Sequence, residues 1–216
     1  MARNIEIKAR YPDLRNALRI CGEMGATYAG TDLQVDSYFR VPSGRLKIRE
    51  STLGSGSLIF YRREDKQGPK QSDYLLVEIG SSAASLRELL TEALGILVQV
   101  RKKRQVLMYG TTRVHLDEVE SLGSFVEFEY VLQENQSPEA GFSEVERLRK
   151  SLAIEDAALV SVSYSDLALG SGPRGWWILL LCSACFSALP HLTASLLPRT
   201  LKSVGINLRF YEGGQC

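Results

Sequence analysis

The chain has 216 residues, 44% hydrophobic and 24% charged, with 26 Lys and Arg against 25 Asp and Glu for a net charge of +1. That length allows one sizeable core or about one and a half domains. The near-zero balance excludes a global basic field and with it a nucleic-acid partner, so any affinity for anions must come from local clustering. Met1-Ala2-Arg3 leads directly into alternating sequence, and no cleavable leader is expected. Of the four cysteines, Cys21, Cys182, Cys185 and Cys216, only Cys21 falls in the first two thirds. A domain with one thiol owes nothing to disulfides, and a cytoplasmic setting is the expectation.

Asn4-Ile5-Glu6-Ile7-Lys8 opens the chain with polar residues two apart. In a strand Asn4, Glu6 and Lys8 share one face while Ile5 and Ile7 share the other. Pro12-Asp13 then opens a helix running to about Met24, with Leu14, Leu18 and Cys21 on one stripe and Gly25 as its stop. Strands are predicted near residues 36–41, 46–51 and 57–63, joined by turns at Pro42-Ser43-Gly44 and Gly54-Ser55-Gly56. Residues 65–72 have the composition of a polar loop and 73–79 that of a strand. A short amphipathic helix over 85–94 precedes a long strand over 96–108. Strands over 112–119 and 125–132 follow, then a helix over 138–152, rich in Glu and Arg and expected to be a solvated outer element.

The alternation of charge with apolar residues recurs in Lys47 and Arg49, in Lys102 and Arg104, and in Arg113, His115 and Asp117. A sheet with a charged inner face needs its apolar outer face covered by helices or further layers. A closed barrel with a wet lumen meets that need, since interior and exterior positions alternate along every strand. An open antiparallel sheet with a solvated, ion-paired face is the alternative that periodicity alone leaves standing. His115, on the face of Asp117, is either a proton carrier or a lining histidine bonded to a neighbour. Gly44, Gly54 and Gly56 serve turns and open no helix, which argues against a phosphate-cradling P-loop or a dinucleotide fold.

The ordered set of motifs resembles the CYTH superfamily of class IV adenylyl cyclases and thiamine triphosphatases, also called triphosphate tunnel metalloenzymes. The likeness runs through Asn4-Ile5-Glu6-Ile7-Lys8, Gly44 to Arg49, Leu58 to Arg63, Val100 to Arg104 and above all His115-Leu116-Asp117 to Glu127-Phe128-Glu129. It implies an α+β domain over residues 2–167, built as a closed antiparallel barrel of about eight strands with helices outside. It also implies a metal-dependent enzyme that hydrolyses a nucleoside, thiamine or inorganic triphosphate. The alternative is a cyclase making cyclic AMP and pyrophosphate from ATP, and a third reading is a non-catalytic phosphate-binding module.

On this resemblance Lys8, Lys47, Arg49, Arg62, Lys102, Arg104 and Arg113 hold phosphates. Arginine can fork onto phosphate oxygens while lysine acts as a point charge. Arg62 is set against its neighbour Arg63, since a one-residue register change exchanges their faces. Glu6, Glu127 and Glu129 are hard oxygen ligands for Mg²⁺ or Mn²⁺, with Glu78, Asp117 and Asn4 as further candidates. Lys8 and Asp117 are the candidate catalytic groups. Asn4 departs from the family pattern, which has a glutamate there, and so removes one negative charge from the metal site.

Residues 168–175 have the character of a linker, and 176–198 contain no Asp, Glu, Lys or Arg. The segment 176–216 admits three readings: a membrane anchor, an apolar element packed on the domain, or a tail foreign to the fold, as alternative splicing or an imperfect gene model would give. The third is preferred, because the patterning there is locally inconsistent. Cys182 and Cys185 have redox-like spacing without a partner pair.

Overall fold

Eight antiparallel strands close into one barrel in the computed structural model, which describes residues 2–170. They are β1 (Ala2–Arg10), β2 (Thr27–Phe39), β3 (Arg45–Ser51), β4 (Ser57–Arg63), β5 (Lys70–Glu78), β6 (Ile96–Tyr109), β7 (Thr112–Val119) and β8 (Gly123–Leu132). Their order around the barrel is β1-β5-β4-β3-β2-β6-β7-β8, so β1 seals it by pairing with both β5 and β8. Four helices lie outside: α1 (Leu14–Glu23), α2 (Ala83–Leu94), α3 (Pro138–Ser151) and α4 (Tyr164–Ala168). No helix among the described residues is long and apolar enough to cross a membrane. The expectations for the segment beyond residue 170, including Cys182 and Cys185, fall outside the described residues.

The period-two pattern explains the layering. Ile5 and Ile7 of β1, Val114 and Leu116 of β7, and Val126 and Phe128 of β8 point outward and are buried. They join Ala17 and Cys21 of α1 and Val145 and Leu148 of α3 in one core outside the barrel. Burial pushes the Cys21 thiol up to about 11, so it serves as a small apolar group. Asp13 caps α1, its carboxylate accepting from the Asn16 amide at 3.0 Å. A smaller apolar cluster of Phe39, Ile48 and Ala83 seats α2 on β2 and β3.

Three elements differ from expectation. β2 begins nine residues earlier than residue 36, because Asp32, Gln34 and Asp36 alternate with Leu33 and Val35 and pair with β6 down to Met108. β5 begins at Lys70, inside the stretch expected to be a loop, and Lys70 is fully buried. α3 is not merely a solvated element: Gly141, Val145 and Leu148 are buried against the barrel. Its last turn carries Arg149 and Lys150, which suits the negative end of the helix dipole.

Gly141 sets how closely α3 approaches β1 and β8. A Cβ there would lie 2.7 Å from Ile5 Cγ1 and 3.0 Å from Tyr130 Cδ1. The helix must shift to admit even a methyl group, which outweighs the better helix propensity of alanine. Gly141→Ala is expected to lower unfolding stability by about 1 kcal/mol, the middle of the range left when about 1 kcal/mol of propensity is taken from an overpacking cost of about 1–3 kcal/mol. A urea titration showing no shift in midpoint, or a shift upward, would contradict this close approach.

Candidate active site

The lumen is lined by charge on every side. Asn4, Glu6 and Lys8 of β1, Lys47 and Arg49 of β3, Lys102 and Arg104 of β6, Arg113 of β7 and Glu127 and Glu129 of β8 all face one cavity of about 130 Å³. Its half-exposed lining residues Leu76 and Arg113 mark the mouth. The other end is stoppered by the segment leading into α4, from which Ser163 and Tyr164 reach the cavity. The Val160 amide donates to the Lys8 carbonyl at 2.8 Å, and Lys70 Nζ donates to the carbonyls of Lys66, Val160 and Ser161, each at 3.1 Å. A Ser163–Asp166 capping box holds the first turn of α4, and Arg45 pairs with Asp166 at 2.7 Å.

Two walls of opposite chemistry face each other. On the basic wall, Asp36 of β2 collects Lys47 at 2.9 Å, Lys102 at 2.7 Å and a fork from Arg49 at 2.7 and 2.9 Å. Three cations on one carboxylate leave a local excess of positive charge. Burial opposes ionisation of Asp36, but Arg49, Lys102 and Lys47 outweigh it and hold the carboxyl well below its usual range. The lysines show the opposite balance. Burial, with Arg49 and Arg104 nearby, lowers Lys102 to about 7 in spite of Asp36, and burial with Arg49 lowers Lys47 to about 8.

The acidic wall comprises Glu6, Glu127 and Glu129 on the adjacent strands β1 and β8, where Glu6 and Glu129 are cross-strand partners. Lys8 lies 3.0 Å from Glu127 and 4.0 Å from the Tyr164 ring centroid. Burial disfavours the Glu127 charge, yet Lys8, His115 and Arg104 keep its carboxyl well below the ordinary range. Glu129 is held more loosely, 3.7 Å from Arg113 and 3.8 Å from His115. Hard carboxylate oxygens grouped in this way suit a divalent cation. Asn4 Oδ1 and His115 Nδ1 are both buried with no hydrogen-bond partner among the described residues, which leaves donors beside the carboxylates unused.

Arg104 joins the walls. Its Nε and Nη2 fork onto Asp117 at 2.7 and 2.6 Å, and Nη2 also reaches Glu127 at 2.9 Å. Tyr164 donates its hydroxyl to Asp117 at 2.7 Å. Asp117 is therefore fully buried, engaged by both partners and off the cavity wall. Burial opposes its charge, but Arg104 prevails and keeps its carboxyl low. It fixes Arg104 in place and is poorly set to deprotonate a water.

Two expected site residues lie elsewhere. Arg62 is exposed on the outer face, its guanidinium 5.3 Å from the Phe60 ring centroid, whereas Arg63 turns inward and pairs with Glu6. The register Arg63↔Ser72 against Arg62↔Asp73 decides this, since adjacent strand residues face opposite ways. Glu78 is exposed at the strand end, accepting from Ser55 and Ser57, and does not line the cavity. Sequence reasoning missed Asp36, Lys70, Tyr38, Tyr61 and Tyr164, and it weighed Arg63 only as the alternative to Arg62. The alternation Asp32-Leu33-Gln34-Val35-Asp36-Ser37-Tyr38 carries the signal for β2, while no periodicity signals Tyr164.

Comparison with known proteins bears on this arrangement. No curated protein matches the chain. Among solved structures, a Pyrococcus horikoshii protein superposes with a TM-score of 0.63 at 23% identity, covering 76% of this chain and 98% of its own. A Vibrio parahaemolyticus protein named as a candidate adenylate cyclase gives 0.63 at 17% identity, covering 77% and 97%. A Hippeastrum protein, named as a candidate adenylyl cyclase with dominant triphosphatase activity, gives 0.53 at 18% identity, covering 78% and 94%. At these identities the likenesses establish the fold. The CYTH domain model matches residues 2–164, all eight strands of the barrel and the segment leading into α4. With that match spanning most of its length, the chain belongs to the CYTH domain family.

Proposed function

We propose that the protein is a divalent-metal-dependent triphosphatase that takes a nucleoside, thiamine or inorganic triphosphate into the barrel and hydrolyses it. The observation carrying this reading is the opposition of two walls in one cavity: Lys47, Arg49 and Lys102 around Asp36, and Glu6, Glu127 and Glu129 across from them. A triphosphate with about four negative charges needs several cationic donors together with metal to be held away from bulk water.

Arg49 and Lys47 trade part of their contact with Asp36 for phosphate oxygens, and Arg49 brings a planar fork suited to them. Lys102 and Arg104 extend the clamp toward the acidic wall. Asp117 and the Tyr164 hydroxyl hold the Arg104 guanidinium in place, so its orientation is set before the substrate arrives. Lys8, between Glu127 and the Tyr164 ring, supplies a positive charge near the stoppered end. Glu127, Glu129 and Glu6 would hold Mg²⁺ or Mn²⁺, with Asn4 offering an amide oxygen. When bound, the cation neutralises phosphate oxygens and polarises the bond to be broken. Any nucleophile must reach the phosphorus through the mouth, and in this reading it is water.

Incubating the purified chain with inorganic triphosphate, thiamine triphosphate and ATP under Mg²⁺ or Mn²⁺, then resolving the products, tests the reaction. Orthophosphate release is expected from at least one of them. Cyclic AMP with pyrophosphate would instead make the protein a cyclase, and binding without turnover would make it a binding module. Arg49→Ala and Glu127→Gln should each lower kcat/KM by about 10²-fold or more, the scale seen when one preorganised charge-stabilising group is removed. Full activity in either variant would remove that residue from the site.

The lowered lysines also fix a pH dependence. A bound triphosphate favours the protonated lysines, so binding takes up protons once Lys102 and Lys47 are partly neutral in the free protein. Affinity should therefore fall as pH rises above about 7 for Lys102 and about 8 for Lys47. The slope approaches tenfold per pH unit where one lysine titrates. Calorimetric titration of metal-free inorganic triphosphate between pH 6.5 and pH 9, in buffers of different ionisation heat, should show weakening and proton uptake. Lys102→Met should flatten the lower part of the profile. A wild-type affinity that is constant or rises over this range would contradict the assigned roles of these lysines.

A further inference from the structure

One buried group beside the clamp is engaged only at long range, by two carboxylates. His115 of β7 is only 5% exposed, and no hydrogen bond of good geometry reaches its Nδ1 among the described residues, the nearest acceptor, Glu127 Oε2, lying at the long limit of 3.5 Å. Buried ring nitrogens are rarely left in that condition without something to complete them. His115 is the cross-strand partner of Glu127 and sits one position along the face from Arg113, the partner of Glu129. Its Nδ1 is 3.5 Å from Glu127 Oε2 and 3.8 Å from Glu129 Oε1. One donor atom from each of the three side chains lies within 4.8 Å of the other two.

The two histidine separations, 3.5 and 3.8 Å, fall between the cis and trans spacings of ligands around one ion. Ligands about 2.1 Å from an octahedral cation are about 3.0 Å apart in cis and about 4.2 Å apart in trans. His115 does not line the cavity itself, but its Nδ1 is turned to two carboxylates that do. We propose that His115 Nδ1 is a ligand of the divalent cation, together with Glu127 and Glu129, and that this nitrogen makes the site prefer Mn²⁺ to Mg²⁺. The proposal rests on the metal-dependent reading of the barrel and adds to it an identified ligand and a metal preference.

The chemistry follows from the donor set. Mg²⁺ demands hard oxygen ligands and retains its waters; Mn²⁺ shares the taste for oxygen and is the weakest binder of the first-row series, but it accepts an imidazole nitrogen more readily than Mg²⁺ does. At position 4 the chain carries an amide, whose Oδ1 is buried without a partner, and so the anionic field that would favour Mg²⁺ is weaker. A nitrogen donor at His115 restores affinity for a transition-metal ion selectively. Glu129, the least firmly paired of the three carboxylates, is free to turn onto the ion with little disruption of the network.

Pulsed electron paramagnetic resonance of Mn²⁺ bound to the full chain tests this directly, because a coordinated imidazole gives a ¹⁴N modulation that carboxylates and water do not. The wild-type chain is expected to show that modulation, and His115→Gln to lose it. In calorimetric titrations the same substitution should weaken Mn²⁺ binding by about tenfold or more while changing Mg²⁺ binding by about twofold or less. Mn²⁺ bound without nitrogen modulation, or equal losses for both metals, would overturn the role of His115 while leaving a carboxylate metal site intact. A wild-type chain that binds neither metal would overturn the metal-dependent reading as well. The wild-type spectrum decides the matter even if the variant folds poorly.

Discussion

Charges buried inside a closed barrel must be paired, and this requirement governs the whole molecule. Asp36 is the point on which the basic wall depends. It sits fully buried with Lys47, Arg49 and Lys102 gathered on its two oxygens. Removing one partner from a buried ion pair typically costs about 3–5 kcal/mol, because the remaining charge has neither water nor a counter-ion. At Asp36 three cations would be stranded together. On the proposed function, the network holds ready a set of cations for an incoming polyanion.

The outer layer exists because of that inner one. A barrel that spends its interior on charge has no core inside and must build it outside. Ile5, Ile7, Val114, Leu116, Val126 and Phe128 do so, covered by α1 and α3. The close seat of Gly141 against Ile5 keeps that cover tight over β1 and β8, the two strands that carry the acidic wall. The stopper before α4 performs a second task at the end of the lumen. By turning Tyr164 onto Asp117 it locks the residue that orients Arg104, so closing the barrel and arranging its clamp are one structural event.

Much of this was legible because alternation in a strand is also the signature of a lumen. Asn4, Glu6 and Lys8, Lys47 and Arg49, and Glu127 and Glu129 reach the cavity from strands whose outward residues are mostly apolar, while Lys102 and Arg104 reach it from β6, whose outward Arg101 and Lys103 are exposed. Where alternation fails as a guide, so does the reading. At Arg62-Arg63 both positions carry the same charge, and only the pairing with β5 shows that Arg63 is inside. Glu78 has the residue type of a ligand but lies past the useful length of its strand. Asp36 falls at the expected start of a strand that in fact begins at Thr27, so its partners in the same polar face were passed over. Tyr164 reaches the site by tertiary packing after the last barrel strand, and nothing local marks it.

On the proposed function, the two walls form one site for a metal-bound triphosphate. A crystal structure of the full chain with Mn²⁺ and a non-hydrolysable triphosphate, with the ion placed by its anomalous signal, tests it most directly. Phosphate oxygens should lie on Lys47, Arg49 and Lys102, with the ion against Glu127 and Glu129 between the walls. A triphosphate bound only outside the barrel, or a lumen in which Asp36 keeps all three cations and no ion is held, would contradict it.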